Sequence, residues 1–556
     1  MRRLSVFASL VLYAYGCGSD EGQKTTPDPL SGGDAGKSSG GPGDPIGDDD
    51  DDDDDDGPGG GAPIPYDATV MKSVHNSYER SEPIFDQLLY HRVRSLEFDI
   101  HNEKGGAAPN GNWFVFHENI PGFNSTSCTL LSDCLGAVAA FHAAVPKHEV
   151  ITLWIDLKDD FQANRQPADL DALVEKTLGR ENIVAPKDLI EKCDGATTVR
   201  AAVGAPCAFP TLGALRGKIM LTVTGGSKCD ANSKVSKYGG AKPSERLVFL
   251  APDLNASCPP AEYEKHSDVV FFNMSFDDRA HAKTMRDEGL VGRLYKGGLG
   301  GGLDNAGDFA AGRETGAVHL ATDKANFEQD TWSKTHGNKG FPFLCDGCVD
   351  REEAGDVLGV TATSGDQGST KDSAFFALAE STKDEAWSAA ISVPSSHTEA
   401  NAKACLVARA SDAPGAVSVA FCRPFDSSPP RILLRKTTDG ATTENTAAPL
   451  FGLSSETSHF MRLELKTAGP DTQIDAQVSR DGKEWVSAQK SVIPGALPLR
   501  GVSVSSRGST KRRALFAALT RADGDGSEVM NASKLDTKKP IGDGASGAAF
   551  DGIFGP

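Results

Sequence analysis

Positive charge is scarce in this chain, which carries 57 Lys and Arg against 77 Asp and Glu and a formal net charge of −20. The first 62 residues hold 4 basic and 14 acidic side chains, so half of that excess lies at the N-terminus. Nucleic-acid binding needs a basic surface over the phosphates, and the chain offers none. We therefore predict no nucleic-acid partner.

Long apolar runs are also missing after the first twenty residues. Arg2 and Arg3 precede an apolar stretch, Leu4 to Tyr15, that is too short to span a bilayer. Gly16 and Cys17 follow the stretch, and the whole segment resembles a bacterial lipoprotein signal in which the Cys is lipidated. We predict export, with lipidation at Cys17 and anchoring to a bacterial outer membrane or cell surface. An ordinary secretory signal cleaved nearby is the alternative.

The cysteines support export. There are 11, and without Cys17 an even set of ten remains, which in an oxidising compartment indicates disulfide bonds. Connectivity stays open, but sequence neighbours suggest Cys128–Cys134, Cys193–Cys207, Cys229–Cys258, Cys345–Cys348 and Cys405–Cys422. The Cys345-x-x-Cys348 spacing also suits half of a zinc site, but no second Cys/His pair lies nearby.

The composition divides the chain into segments. After the predicted signal, residues 18–62 are rich in Gly, Pro, Ser and Asp and include an unbroken run from Asp48 to Asp56, which predicts a disordered tether. The boundaries we predict are 1–17 signal peptide, 18–62 linker, 63–350 barrel, 351–522 β-sandwich and 523–556 flexible tail.

The segment 63–350 alternates apolar, β-rich runs with helical patterns such as Leu135–Val145 and Leu170–Leu178, which predicts a (β/α)8 barrel. Eight runs are the candidate strands, and Arg246–Ala251 is a ninth candidate that leaves the count open. The eight are Ala68–Val74, Arg94–Ile100, Trp113–His117, Val150–Asp156, Lys218–Thr224, Val269–Asn273, Leu290–Tyr295 and Val318–Thr322.

Beyond residue 350, strand-like runs follow one another without helices between them. Gly, Pro, Asp and Ser separate the runs at regular spacing, which predicts an antiparallel β-sandwich. The predicted strands are Ala374–Ala379, Ala386–Val393, Lys403–Ala408, Val417–Cys422, Arg431–Arg435, Phe460–Lys466, Gln473–Ser479, Gly501–Ser506 and Ala514–Leu519. Trp387 and Trp485 lie among strand residues, so we expect them in the core rather than at a sugar-binding surface.

Polar side chains stand at the ends of four of the barrel's candidate strands. Active sites of parallel barrels lie at the carboxyl ends of the strands, and two acids spaced by two in a strand face the same side. Acid and amide oxygens make a pocket for Ca²⁺, with Mg²⁺ as second choice, rather than for zinc. The four segments are His75-Asn76-Ser77-Tyr78, Glu97-Phe98-Asp99, Phe116-His117 and Asp156-Leu157-Lys158-Asp159.

These motifs, in this order, resemble the calcium-dependent phosphatidylinositol-specific phospholipases C, as does Ser127-Cys128-Thr129-Leu130 between them. The resemblance is most specific from His75 to Asp159 and extends loosely to Leu344. It implies a phosphodiesterase barrel with His75 and His117 as catalytic residues. It also implies four calcium ligands, Asn76, Glu97, Asp99 and Asp156.

The resemblance leaves several roles open. Lys158 is placed to meet phosphate or inositol hydroxyls, and Arg293 and Lys296 are further substrate-binding candidates. His101 is a candidate for lining the mouth. Many relatives carry Glu where this chain has Asp156, so the shorter acid binds calcium through water, or Asp159 assists.

The second domain resembles concanavalin-like, laminin-G-type sandwiches through Ala404–Arg409 and Val478–Trp485. Such a module would bind carbohydrate or a surface polymer. Equally, it would serve as a structural companion that orients the barrel. We predict a monomeric enzyme that acts on phospholipid at a membrane surface. Two alternatives remain. One is a glycerophosphodiester phosphodiesterase, although that family usually has His-Arg-Gly where this chain has His75-Asn76-Ser77. The other is a catalytically silent surface lipoprotein.

Overall fold

A computed structural model describes residues 64–118, 120, 125–296, 302–330, 357–395, 402–426, 428–446, 459–506, 511–542 and 545–551. The predicted signal peptide, Cys17, the linker and the Cys345–Cys348 pair lie outside these residues. The other four suggested disulfides are confirmed: Cys128–Cys134, Cys193–Cys207, Cys229–Cys258 and Cys405–Cys422.

The first domain is the predicted α/β barrel. Its strands are β1 Met71–Val74, β2 Ser95–His101, β3 Phe114–Val115, β4 Ile151–Leu157, β5 Ile183–Val184, β6 Ile219–Thr224, β7 Phe249–Leu250, β8 Asp253–Leu254, β9 Phe271–Ser275, β10 Val291–Tyr295 and β11 His319–Thr322. Its helices are α1 Ile84–Leu89, α2 Leu131–Ala144, α3 Pro167–Leu178, α4 Pro186–Glu191, α5 Val199–Val203, α6 Lys234–Gly239, α7 Pro260–Tyr263, α8 Ala280–Asp287 and α9 Ala306–Glu314. Among the described residues, no helix is both long and apolar enough to cross a membrane.

Eight parallel strands form the barrel. They pair in the circular order β1, β2, β4, β6, β7, β9, β10, β11. A parallel bridge from Leu250 of β7 to Val269, two residues before β9, joins β7 to the segment that leads into β9. β5 and β8 are two-residue strands that pair in parallel with β6 and β9. The strands are buried along almost their whole length, as expected for a sheet covered on both faces.

One predicted strand is not part of the barrel. Trp113–His117 contains β3, which pairs antiparallel with the end of β2 through Ile100–Val115 and His101–Phe114. The ninth candidate, Arg246–Ala251, supplies the missing barrel strand as β7. Both runs are apolar and buried, so hydrophobic pattern alone does not separate a barrel strand from a hairpin arm that folds back over one. The fold-back carries His117 to the carboxyl ends of the strands.

The second domain is an antiparallel sandwich. Its strands are β12 Val357–Thr363, β13 Ala374–Glu380, β14 Glu385–Ser392, β15 Lys403–Arg409, β16 Ser418–Pro424, β17 Arg431–Arg435, β18 Thr443–Thr446, β19 Phe460–Ala468, β20 Asp471–Ser479, β21 Val486–Ile493, β22 Leu499–Ser505, β23 Lys511–Asp523, β24 Gly526–Val529, β25 Thr537–Ile541 and β26 Ser546–Asp551. An eight-stranded and a seven-stranded sheet bury one apolar core between them. Trp387 lies in that core, as predicted, whereas Trp485 is only half-buried and packs against a cluster that joins the barrel core to Phe460 and Leu515 of the sandwich.

The predicted flexible tail is wrong for residues 526–542 and 545–551. β25 pairs with β13 in the seven-stranded sheet, whereas β24 pairs with β23 and β26 with β12 in the eight-stranded sheet. Phe550 lies over Gly359, where a Cβ atom would meet its ring at 2.0 Å. Polar, Gly-rich composition hid these strands, because an edge strand is held chiefly by main-chain hydrogen bonds and needs few apolar side chains.

Two buried histidines should make the protein sensitive to mild acid. His319 accepts or donates at 2.8 Å with Tyr66 Oη, and His148 lies 3.0 Å from His142. Burial lowers the pKa of each to about 3, from an ordinary value of 6.5. Below pH 6.5 the unfolded chain therefore binds two protons that the folded chain does not, and stability falls as pH falls.

We expect these two groups to remove about 2–3 kcal/mol of unfolding free energy between pH 5.5 and pH 4.5. Urea unfolding at pH 7.5, 5.5 and 4.5 measures this loss. Replacing His148 with Gln removes one of the two titrating groups. The loss of unfolding free energy between pH 5.5 and pH 4.5 should therefore be smaller by about half of the 2–3 kcal/mol. A His148→Gln variant whose stability depends on pH as steeply as that of the wild type would contradict the assignment.

Candidate active site

The carboxyl end of β1 delivers the first two site residues. The backbone N–H of His75 donates to the carbonyl of Thr322 at the end of β11, at 2.9 Å. Asn76 has a φ of 45°, in the left-handed region that Asn tolerates better than most residues. This turn ends the strand and points the two side chains towards the end of β2, where the Asn76 N–H donates to Glu97 Oε2 at 3.1 Å.

Three acids meet the Asn76 amide at this mouth. Glu97 and Asp99 are two residues apart in β2, and Asp156 lies directly opposite Asp99 in β4. One carboxylate oxygen from each of the three lies within 4.8 Å of those from the other two. The structure therefore brings the predicted acids together, which follows from the two-residue period of β2 and from the parallel register of its neighbour.

Two buried oxygens of this cluster have no hydrogen-bond partner among the described residues. They are Asn76 Oδ1 and Asp99 Oδ1. A buried acceptor without a donor is costly, so its retention calls for an explanation. Amide and carboxylate oxygens are the ligands that Ca²⁺ prefers, and its flexible coordination suits irregular sets. The donor set therefore fits calcium.

Lys158 partly neutralises the cluster. Its Nζ lies 2.6 Å from Asp156 Oδ2 and 3.0 Å from Asp99 Oδ2. Burial raises the pKa of Asp156 to about 6, against the opposing effect of Lys158. For Asp99 burial acts in the same direction, but the hydrogen bond with His117 and the charge of Lys158 outweigh it and lower its pKa.

His117 contacts the cluster from the outer side. Its Nδ1 lies 3.0 Å from Asp99 Oδ2, and its side chain is 29% exposed. The hydrogen bond with Asp99 raises the pKa of His117 despite partial burial. The ring is therefore accessible from solvent and holds its proton more tightly than a free imidazole does.

His75 lies deeper and is held by two acids. Its Nδ1 is 3.0 Å from Asp323 Oδ1, and its Nε2 is 3.7 Å from Glu97 Oε2. Burial opposes protonation, but the charges of Glu97 and Asp323 outweigh it and raise the pKa of His75. Arg80 fixes Asp323 in turn, since its Nη1 donates to the Asp323 carbonyl at 3.1 Å.

The other predicted residues lie in different places. Arg293 is 1% exposed and pairs with Glu97 Oε2 at 2.7 Å, beneath the acids. Lys296 pairs with Asp308 and is not among the residues that meet at the cluster. His101 stacks on Phe116 near the mouth, with ring centroids 3.9 Å apart. Asp159 accepts a hydrogen bond from the Asn102 N–H at 2.8 Å instead of joining the acids.

Several residues of the mouth escaped the sequence interpretation. Asp323 follows β11 directly, so the rule that located the other strand-end residues would also have found it. Across the mouth, Asn273 Nδ2 donates to Asp253 Oδ1 at 2.9 Å and to Thr224 Oγ1 at 3.3 Å. Burial raises the pKa of Asp253. Asp253 had no signal, because it begins the two-residue strand β8, which hydrophobic patterning does not separate from a loop.

Comparison with known proteins found no matching protein-family model and no matching curated protein. Among solved structures, the chain is similar to the calcium-dependent phosphoinositol-specific phospholipase C of a Pseudomonas species, with 24% identity and a TM-score of 0.42 over 50% of this chain and 96% of the other. It is also similar to the Ca²⁺-dependent phosphatidylinositol-specific phospholipase C of Streptomyces antibioticus, with 21% identity and a TM-score of 0.39 over 48% of this chain and 96% of the other.

Proposed function

We propose that this protein is an exported, calcium-dependent phosphodiesterase that cleaves phosphatidylinositol-type phospholipids. One observation carries the proposal: three acids and the unpaired amide oxygen of Asn76 converge at a barrel mouth beside two histidines that each pair with an acid. Oxygen ligands for a hard cation next to a proton donor are what phosphodiester cleavage requires.

The metal ligands we propose are Asn76, Glu97, Asp99 and Asp156. A calcium ion held there would neutralise charge on a phosphate oxygen and make a neighbouring hydroxyl more acidic. Calcium suits the set better than Mg²⁺, which demands near-ideal octahedral geometry at shorter distances. Asp156, shortened relative to the Glu of many relatives and paired with Lys158, is the ligand whose direct contact with the ion needs testing most.

The reaction we propose begins within the substrate. The inositol 2-hydroxyl oxygen bonds to phosphorus while its proton passes to a carboxylate, Glu97 or Asp156. The bond from phosphorus to the glycerol oxygen breaks, and His117 gives its proton to that departing oxygen. The products are diacylglycerol and a cyclic inositol phosphate. The raised pKa of His117 suits it to be the acid, and its exposure leaves room for the leaving group.

The remaining side chains hold the substrate and the catalytic groups. His75, oriented by Asp323, is placed to donate to an equatorial phosphate oxygen. Lys158 is placed to meet phosphate or inositol hydroxyls. Arg293 is buried against Glu97, so we assign it to positioning that acid rather than to direct substrate contact. The predicted lipid anchor at Cys17, if formed, would keep the barrel near a membrane surface.

A paired-substrate assay tests the proposal. Protein lacking residues 1–62 would be given phosphatidylinositol vesicles or glycerophosphoinositol, each with calcium or with a chelator. We expect calcium-dependent release of inositol phosphate from the vesicles. Activity confined to glycerophosphoinositol would instead support a glycerophosphodiester phosphodiesterase, and no turnover of either substrate would support a binding role.

Calcium binding itself provides a second test. We expect Asp99→Asn to lower calcium affinity by at least about tenfold in isothermal titration, because it removes a charged oxygen ligand. Asp308→Asn is the control. Asp308 lies on α9 and pairs with Lys296 outside the acid cluster, so its substitution should leave the calcium affinity unchanged. Equal calcium affinities in both variants would mean that calcium binds at another site or does not bind to this domain.

A further inference from the structure

The sandwich is joined to the barrel through the short helix α1. Asp86 of α1 is completely buried and receives hydrogen bonds from the sandwich, from Ser392 Oγ at 2.7 Å and from Ser395 Oγ. Arg423 of the sandwich donates to the same carboxylate through Nη2. Phe85 stacks on His459 with ring centroids 4.8 Å apart. The acid of one domain thus depends on donors of the other.

The contact is specific rather than incidental. Ser395 has a φ of 48°, a left-handed conformation that a residue with a side chain keeps only where its surroundings hold it. Arg423 also donates to the carbonyl of Ile391, so its guanidinium bridges the sandwich backbone and Asp86. A buried acid whose partners all belong to another domain fixes the two domains in register.

The next residue of α1 contacts the loop that carries the proposed catalytic residues. Gln87 is buried, and its Nε2 donates to the carbonyls of Ser77 at 2.7 Å and Glu82 at 2.8 Å. Ser77 Oγ in turn accepts from the Glu97 N–H at 3.0 Å. Gln87 directly follows Asp86 in α1 and supports the turn that begins at His75.

We infer that the sandwich braces the catalytic loop of residues 75–82 through Asp86 and Gln87. In this role Arg423 is a positioning residue: it fixes Asp86, Asp86 fixes α1, and α1 fixes the turn that carries His75 and Asn76. The inference concerns the order of this loop and goes beyond the proposed reaction. It assigns the second domain a function whether or not that domain also binds a polymer.

Hydrogen exchange of the full-length chain tests the inference. Three amides report the loop, since Asn76 N–H donates to Glu97, Glu79 N–H to the Asn76 carbonyl and Arg80 N–H to the Ser77 carbonyl. We expect Arg423→Met to speed exchange in peptides covering 75–82 at least about tenfold at 25 °C, in folded protein. We also expect it to weaken calcium binding.

Arg500→Met is the matched control. Arg500 is likewise a buried sandwich arginine, paired with the buried acid Glu385 at 3.0 Å, and it donates to carbonyls of Leu497 and Lys383 within the sandwich. It should lower thermal stability without changing exchange in 75–82. Unchanged exchange in Arg423→Met, or equal acceleration in both variants, would overturn the inference.

If Arg423→Met does not fold, Ser392→Ala decides the question, because it removes a single hydrogen bond to Asp86. Faster exchange in 75–82 supports the brace and unchanged exchange refutes it. Exchange needs no substrate, so the brace and the proposed enzyme activity stand or fall independently.

Discussion

His117→Ala should reduce turnover of phosphatidylinositol by about 10²–10⁴-fold, the range expected for loss of a positioned general acid. The alkoxide of diacylglycerol is a poor leaving group, and the described mouth offers His117 as the exposed acid that can protonate it. The hydrogen bond with Asp99 raises the pKa of His117, which favours the protonated ring that a general acid needs. Activity should fall as pH rises through that pKa.

Steady-state rates with phosphatidylinositol vesicles measure the effect, and circular dichroism checks folding. The control is His281→Ala, on α8, which should retain near-normal turnover. Calcium affinity of His117→Ala should change far less than its rate, since His117 is not among the proposed ligands. A variant that keeps more than about a tenth of wild-type turnover would remove His117 from the role of acid.

Asp86→Ala should lower the free energy of unfolding by about 3–5 kcal/mol, the usual cost of removing one partner of a buried ion pair. The substitution leaves Arg423 without its carboxylate and two serine hydroxyls without their acceptor, all in the contact between the domains. Urea unfolding should show one cooperative transition in the wild type, because the hydrophobic core of the barrel continues into Ala390, Phe460 and Leu515 of the sandwich.

The control for this effect is Asp287→Ala, which removes the partner of Lys283 at 2.6 Å on the exposed face of α8. Exposed pairs are worth about 0–1 kcal/mol, so this variant should unfold close to the wild type. If Asp86→Ala lost no more stability than Asp287→Ala, the buried contact would not hold the domains together.

Much of the site was predictable because strand ends follow simple geometry. Glu97 and Asp99 share a face through the two-residue period of β2, and the parallel register then places Asp156 opposite Asp99. The same rule applied to β11 would have yielded Asp323. Which apolar runs supply the eight barrel strands was not predictable, because runs such as those of β3 and β7 look alike until their partners are known.

Side-chain partners were the least predictable part. Arg293 and Lys296 were equal candidates in sequence, yet one is buried against Glu97 and the other lies outside the cluster, paired with Asp308. A three-residue offset at a strand end separates the barrel interior from the adjoining loop. Asp86 gave no signal either, because its burial depends on a domain that begins more than 260 residues later.

The central claim is that this site makes a cyclic phosphate from a phosphoinositide with the help of calcium. Phosphorus NMR of phosphatidylinositol vesicles with the enzyme tests it most directly. We predict that the resonance of a five-membered cyclic inositol phosphate grows with calcium and is absent with a chelator. Cleavage that proceeds equally in chelator, or that yields only linear phosphate from the first turnover, would contradict the account.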